Sequence, residues 1–134
     1  SEWRYQMRIR MGRGERNVPD YVLGADDTPG DEQGVALIEC KYDIATGKDR
    51  KDAFLQGKSY AHRLRATVLA LAARQGLWMY QLTSRGFDED QHMFKTWDEL
   101  RSPDKLADID RLLGKRRINA IVNERDRPRR SRLP

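Results

Sequence analysis

The sequence predicts an α/β (α+β) domain in which a central mixed β-sheet is flanked by helices. Strand-like and helical apolar patterns follow one another in the order strand, strand, strand, helix, strand, strand, helix. The length of 134 residues, with 38% hydrophobic and 35% charged residues, suits one domain with a heavily charged surface. We assign this domain to residues 1–114. We expect the arginine-rich remainder, residues 115–134, to pack poorly and to act as a basic tail or linker.

Three strands are predicted in the first third of the chain. Large apolar residues alternate with polar ones over residues 3–11, which is the period of a half-buried strand. A glycine-rich turn follows, and residues 18–23 complete a hairpin, with Pro19 near the start of this strand, where its missing N–H is tolerated. After an acidic loop, residues 35–42 form a nearly continuous apolar run, which is typical of a strand in the middle of a sheet.

The rest of the chain predicts two helices and two or three strands. Apolar residues at three- and four-residue spacing indicate a helix at 49–65, and either Thr46 or Asp49 is suited to cap it. Pro103 suits the first position of the last helix, and Gly114 suits its end. The elements after the first helix are two strands, a less clear third strand and the last helix, at residues 67–73, 77–83, 93–96 and 104–113.

The composition restricts the classes of function. No apolar run approaches the length of a membrane span, so we expect no membrane partner. The single cysteine, Cys40, excludes an internal disulfide and is compatible with the reducing cytoplasm, where we expect this protein. Two histidines and one cysteine are too few for an ordinary structural zinc site, so carboxylates must hold any catalytic metal. The net charge of +5 favours a polyanionic partner, although a solvated basic surface explains it about as well.

Two charged residues lie in the apolar run at 35–42. Glu39 and Lys41 are two positions apart, so on a strand their side chains point to the same side. Burying two such charges costs several kcal/mol unless it is compensated. The compensation is either a mutual salt bridge or a cation at the carboxylate and a phosphate at the ammonium group. Asp20, on the preceding strand, supplies a second carboxylate, and hard oxygen ligands of this kind select Mg²⁺ or Mn²⁺.

Three short motifs occur in order on the predicted elements. They are V-P-D-Y-V-L at 18–23, L-I-E-C-K at 37–41 and Q-G-K-S-Y at 56–60. Together they resemble the PD-(D/E)xK nucleases, and most of all the N-terminal nuclease domain of type I restriction-enzyme R (motor) subunits. The resemblance covers about residues 12–100 and implies a restriction-endonuclease-like fold.

The resemblance implies a Mg²⁺- or Mn²⁺-dependent DNA endonuclease in a restriction-modification or other defence enzyme. Asp20 and Glu39 would bind the metal with the backbone carbonyl of Cys40. Lys41 would orient the attacking water and favour its deprotonation near the scissile phosphate. A helicase or translocase domain beyond the basic tail and other restriction-complex subunits are the implied protein partners. The alternative function is a non-cleaving nucleic-acid-binding module that keeps the nuclease fold, and a third is a structural domain that docks through its basic face.

The helix carries further predicted site residues. Gln56 and Tyr60 are four residues apart and share a stripe that, by resemblance, faces the active site and holds DNA or the catalytic loop. A half-buried core aromatic is the alternative for Tyr60. Lys58 and Arg63 are predicted to contact DNA, with a plain surface arginine as the alternative for Arg63.

The chain departs from the family pattern at one point. Many relatives carry another acidic residue on a helix before the first strand, and here Glu15 is the best substitute. The choice between one-metal and two-metal chemistry therefore stays open. The G-K-S at 57–59 is not a phosphate-binding loop, because it lies inside a predicted helix. Trp78 and Tyr80 alternate on a predicted strand, which favours core packing over base stacking.

Overall fold

The computed structural model describes residues 3–5, 9–10, 16–17 and 19–131, with side chains described for residues 19–127. This part of the chain is an α+β domain in which a six-stranded mixed sheet has helices on both faces. The strands are β1 (Trp3–Tyr5), β2 (Ile9–Arg10), β3 (Arg16–Asn17), β4 (Tyr21–Leu23), β5 (Ala36–Cys40), β6 (Val68–Ala73), β7 (Gly76–Gln81) and β8 (Met93–Lys95). The helices are α1 (Gly47–Leu64), α2 (Pro103–Leu113) and α3 (Lys115–Ser131), with a short 3-10 helix at Glu99–Arg101.

Strand β5 lies inside the sheet, as its apolar run predicts. The strand order is β1-β4-β5-β6-β7-β8, and β5 pairs antiparallel with β4 and parallel with β6. The parallel pair requires a crossover, which α1 supplies, because strands running in the same direction cannot be joined by a tight turn. The sheet is therefore mixed, and the less clear strand predicted at 93–96 exists as β8.

The hairpin predicted at the start of the chain is present in the described residues. Strand β1 pairs antiparallel with β4, and β2 pairs antiparallel with β3. The two pairings share one register, because Trp3 lies across from Leu23 and Ile9 lies across from Asn17. β1 and β4 belong to the main sheet, whereas β2 and β3 form a separate two-stranded sheet. The predicted turn at 12–17 is wrong at its end, where residues 16 and 17 belong to β3, and residues 12–15, including Glu15, lie outside the described residues.

Helix α1 begins at a capping box. The Thr46 hydroxyl accepts the N–H of Asp49 at 3.1 Å, and the Asp49 carboxylate accepts the N–H of Thr46 at 3.3 Å. Thr46 is therefore the cap, and Asp49 is its partner within the first turn. The helix ends at Arg65, which adopts the left-handed conformation with a φ of 59°. Its buried face includes the apolar positions that the sequence spacing predicts, namely Phe54, Gly57, Ala61 and Leu64.

The two faces of the sheet bury separate cores. Val22 and Leu37 pack with α1 on one face, and Leu23 and Ala36 pack with α2 and α3 on the other. Adjacent residues thus point to opposite faces, as strand geometry requires. We call these the α1 face and the α2/α3 face.

Helix α3 corrects the prediction for the end of the chain. Residues 115–134 were expected to pack poorly, but Lys115–Ser131 is helical and Ile118 is only 1% exposed. Gly24 has no side chain, and a Cβ there would meet Ile118 and Val122 at 3.1 Å, so the helix approaches the end of β4 closely. The Arg125 guanidinium also donates to the Gly24 carbonyl at 2.9 Å. The expectation of poor packing is wrong for the described part of this segment, whereas the domain boundary at residue 114 stays a prediction.

None of the helices in the described ranges is both long enough and apolar enough to cross a bilayer.

Candidate functional site

Asp20 and Glu39 lie opposite each other on neighbouring strands. The antiparallel register pairs Tyr21 with Ile38 and Val22 with Leu37, so its next step places Asp20 across from Glu39. Cross-strand neighbours have Cβ atoms about 4.5–5.5 Å apart, and like charges at such positions destabilise the pair. The fold therefore brings together two carboxylates that repel each other.

Two hydrogen bonds lock this pair of residues. The Asp20 N–H donates to Glu39 Oε1 at 3.2 Å, and the Cys40 N–H donates to Asp20 Oδ2 at 2.8 Å. Each carboxylate thus accepts a backbone N–H from the opposite strand. The two acidic side chains are held in one orientation at the site where β4 begins and β5 ends.

Glu39 is the buried charged residue of the described core. Its side chain is 3% exposed, and burial raises the pKa of this carboxyl from 4.5 to about 7. The hydrogen bond from Asp20 opposes this shift, the negative charge of Asp20 adds to it, and Lys41 opposes it. The contributions that lower the pKa do not offset the effect of burial, so the charged form of Glu39 remains unfavourable.

Lys41 does not neutralise Glu39 through a direct ion pair within the described part of the chain. Its ammonium group donates instead to Gln56 Oε1 at 2.8 Å. Gln56 in turn donates from Nε2 to the hydroxyl of Tyr60 at 3.3 Å. Of the two compensations that the sequence left open for Glu39 and Lys41, the mutual salt bridge is therefore not formed.

Helix α1 supplies the other half of the site. Gln56 is exposed, whereas Tyr60 is 6% exposed and belongs to the core of the α1 face. Tyr60 therefore combines a core position with a hydroxyl group that binds Gln56. Gly57 permits the close approach of α1, because a Cβ there would lie 2.7 Å from a Leu69 methyl group and 3.4 Å from Glu39 Cγ.

The oxygen donors of the site fit a hard divalent cation. Two carboxylates and the carbonyl of Cys40 offer three protein oxygens, and Mg²⁺ commonly uses one or two carboxylates and keeps several waters. A bound cation would stabilise the charged form of Glu39, which burial and the nearby Asp20 carboxylate disfavour. Within the described ranges, however, no group of three or more His, Cys, Asp or Glu side chains is arranged to hold a metal ion. A metal here would therefore depend on Asp20 and Glu39, with backbone and water oxygens completing its shell.

A small pocket opens beside Lys41. It has a volume of about 220 Å³, and its lining includes Lys41, Asp43, Asp49, Asp52 and Gln56. The pocket is thus reached from the same side as the Lys41–Gln56 hydrogen bond. Three acidic side chains surround it, which makes this rim unfavourable for a polyanion.

The loop after Lys41 is braced by residues that the sequence analysis did not assign to the site. The Gln75 amide donates to the Asp43 carboxylate and accepts the N–H of Ile44 at 3.0 Å, and Arg74 Nε donates to Asp43 at 3.2 Å. The hydrogen bond from Gln75 makes the largest contribution to lowering the pKa of Asp43 below its ordinary value, and the hydrogen bond from Arg74 contributes next. No local pattern indicates this contact, because the partners are about 31 residues apart and meet only when β6 pairs with β5.

The two residues predicted to contact DNA are on α1. Lys58 is exposed, and its ammonium group lies 5.9 Å from the centroid of the Phe54 ring. Arg63 forms an ion pair with Glu32 at 3.1 Å, which engages its guanidinium. The role of both residues in DNA binding stays a prediction, and the ion pair of Arg63 favours the structural alternative.

The strand aromatics pack in the core, as predicted. Trp78 and Tyr80 are buried, and Tyr80 lies 4.7 Å from Phe54 between ring centroids. They are not available to stack on bases. The segment 57–59 lies inside α1, as its helical pattern predicts.

Comparisons with family models, with curated proteins and with solved structures find no match to this chain. The interpretation of the site therefore depends on its own residues and their geometry.

Proposed function

We propose that this chain is a Mg²⁺- or Mn²⁺-dependent DNA endonuclease domain with a restriction-endonuclease-like fold. The observation that carries the proposal is the buried Glu39 carboxylate, which lies opposite Asp20 while the Lys41 ammonium group binds Gln56 instead. A fold gains nothing from this arrangement, because like charges across a strand pair and an uncompensated buried carboxylate both reduce stability. A bound cation would offset both costs.

The residues of the chain would divide the chemistry between them. Asp20, Glu39 and the Cys40 carbonyl would hold the metal ion, and the hydrogen bonds at 3.2 and 2.8 Å already orient the two carboxylates. When bound, the metal would supply Lewis-acid activation and charge stabilisation at the phosphate. Lys41, positioned by Gln56 at 2.8 Å, would orient the attacking water and favour its deprotonation.

The wider assignment belongs to the same proposal. A role in a restriction-modification or other defence enzyme, a helicase or translocase partner, further complex subunits and a cytoplasmic location all follow from the resemblance of the three motifs. They depend on the nuclease activity and require their own tests.

The direct test is cleavage of plasmid DNA with added Mg²⁺ or Mn²⁺. We expect Asp20→Ala to abolish cleavage and Lys41→Ala to slow it about 10²–10⁴-fold, the usual contribution of a positioned proton-transfer group. Asp98→Ala and Lys105→Ala remove the same charges at exposed positions distant in sequence and should cleave like wild type. Cleavage that survives both Asp20→Ala and Lys41→Ala would reject the proposed centre.

A second candidate function is a non-cleaving nucleic-acid-binding module. It is favoured by one observation: the described part of the chain offers two acidic side chains at the site and no group of three His, Cys, Asp or Glu side chains arranged for a metal. If purified wild type binds DNA but leaves it intact with either metal ion, this candidate replaces the first.

A further inference from the structure

The positive charge of this protein is concentrated at one end of the chain. Residues 115–134 contain eight lysines and arginines and two acids, a net charge of +6. Because the whole chain carries +5, residues 1–114 have a net charge of −1. The part of the protein that holds the candidate site therefore contributes no net attraction for a polyanion.

Helix α3 carries the described part of this charge on a fixed element. Ile118 is buried, and Ile121 and Val122 pack against the core of the α2/α3 face, so the apolar stripe of the helix is already covered. Arg125 fastens the helix through the Gly24 carbonyl at 2.9 Å. An amphipathic helix whose apolar stripe is buried in the protein cannot insert that stripe into a membrane, so an anionic lipid surface is not the favoured partner.

The first turn of α3 consists of Lys115, Arg116 and Arg117, which we call the basic triplet. All three side chains are exposed, and within the described ranges they form no side-chain hydrogen bond and no ion pair. Most other described arginines, although not Arg85, are paired with acids, for example in Arg63–Glu32, Arg65–Asp31, Arg74–Asp43, Arg101–Asp98 and Arg111–Asp108.

The stability of the fold does not explain the triplet. The first turn of α3 contains no acidic residue, and cations at a helix N-terminus interact unfavourably with the helix dipole. Adjacent like charges also repel one another. Three unpaired cations at this position therefore indicate a partner that carries negative charge.

The triplet follows a residue that lines a pocket of the α2/α3 face. Gly114, directly before Lys115, lines this pocket together with Tyr21 and Cys40, and these two residues are the sequence neighbours of Asp20 and Glu39. The rim beside Lys41 is acidic, so a DNA backbone needs a basic surface elsewhere on the protein.

We propose that the basic triplet is an anchoring surface for the phosphate backbone of DNA, separate from the catalytic centre. The proposal rests on DNA being the substrate of the proposed function. Its residues would contact phosphates and not bases, so they would contribute affinity and salt dependence without sequence preference.

The test measures binding of the full chain to a fluorescently labelled DNA duplex in EDTA, over a series of NaCl concentrations. We expect Arg116→Gln/Arg117→Gln to weaken binding about tenfold. The slope of the logarithm of the binding constant against the logarithm of the NaCl concentration should become less steep by about two, roughly one for each lost phosphate contact. Arg116→Lys/Arg117→Lys keeps the charge and should retain the wild-type salt slope. Arg85→Gln/Lys105→Gln removes two exposed charges outside α3 and should bind like wild type. Melting temperatures verify that each variant is folded.

Three results would overturn the proposal. They are unchanged binding by the glutamine pair in α3, an equal loss in the Arg85/Lys105 pair, and competition by polyglutamate as effective as that by unlabelled DNA. The last result would assign the triplet to an acidic protein partner. If the glutamine pair in α3 loses binding while the lysine pair keeps it, and wild type does not cleave DNA, only the nuclease proposal is rejected. If wild type cleaves DNA and the glutamine pair binds like wild type, only the anchoring surface is rejected.

Discussion

The two faces of the sheet use the same strands but bury different chemistry. On the α1 face, Glu39 is buried beside a chain of polar contacts from Lys41 through Gln56 to Tyr60. On the α2/α3 face, the buried side chains are apolar, and a pocket of about 640 Å³ has a largely apolar lining. Burial on the second face is accounted for by the hydrophobic effect alone.

Apolar packing and the charged candidate site thus lie on opposite faces of the sheet. Cys40 illustrates it, because its N–H binds the Asp20 carboxylate while its side chain lines the pocket of the α2/α3 face. Cys40 is exposed, but partial desolvation, followed by the negative charges of Asp20 and Glu39, raises the pKa of its thiol above the ordinary value. One residue thus serves the charged site through its backbone and the apolar face through its side chain.

The largest expected effect tests whether the α2/α3 face is a true core. We expect Ile118→Ala to lower the free energy of unfolding by about 2–5 kcal/mol. Ile118 is 1% exposed, so shortening its side chain leaves a cavity in the core. Urea denaturation followed by circular dichroism measures the change. Leu106→Ala, at a position 50% exposed on α2, is the control and should cost less than about 1 kcal/mol. Equal, small effects would mean that α3 does not belong to the core.

The next effect tests the charge buried on the α1 face. The folded protein raises the pKa of Glu39 from 4.5 to about 7, so folding favours the protonated form. Glu39 therefore contributes about 3 kcal/mol to the free energy of unfolding at low pH, compared with its contribution above pH 7. This contribution is fully present below about pH 4.5 and is lost as the pH rises through 7.

Glu39→Gln keeps a neutral side chain at every pH and should not show this loss. The measurement is the free energy of unfolding in EDTA from acid to mildly alkaline pH, compared between the two proteins. Added Mg²⁺ should stabilise wild type near neutral pH but have much less effect on Glu39→Gln. Parallel pH profiles of the two proteins would contradict the buried-charge interpretation.

The smallest effect compares the helix starts on the two faces. Thr46→Ala removes the hydrogen bond to the Asp49 N–H and should cost about 1 kcal/mol. Ser102, at the start of α2, makes no side-chain cap bond, so Ser102→Ala should change stability by less than about 0.5 kcal/mol. Thermal unfolding of both variants measures the difference, and a larger loss for Ser102→Ala would reverse the expected order.

Much of the site was predictable because its determinants are local. The period of two residues puts Glu39 and Lys41 on one side of a strand, and the helical period puts Gln56 and Tyr60 on one stripe. The structure confirms that Glu39, Lys41 and Gln56 meet on the α1 face. The sequence offers two residues as the N-cap of α1, Thr46 and Asp49. Only the hydrogen bond from the Asp49 N–H to the Thr46 hydroxyl shows that Thr46 is the cap.

The contacts between distant segments were not predictable. The hydrogen bond from the Gln75 amide to the Asp43 carboxylate depends on how far β6 extends past the end of β5. The packing of α3 was mispredicted because the prediction relied on the high charge density of this segment. Its three apolar residues Ile118, Ile121 and Val122 have the three- and four-residue spacing of an amphipathic helix.

The sequence by itself determined the α+β class, the central position of β5 and the identity of the acidic, basic and amide side chains at the site. These properties follow from periodicities that act over a few residues. Only the tertiary structure decided that Asp20 lies directly across from Glu39 and that α3 covers the second face. Strand register and helix docking are set by contacts between segments far apart in the chain, where a shift of one residue would turn every side chain to the other face.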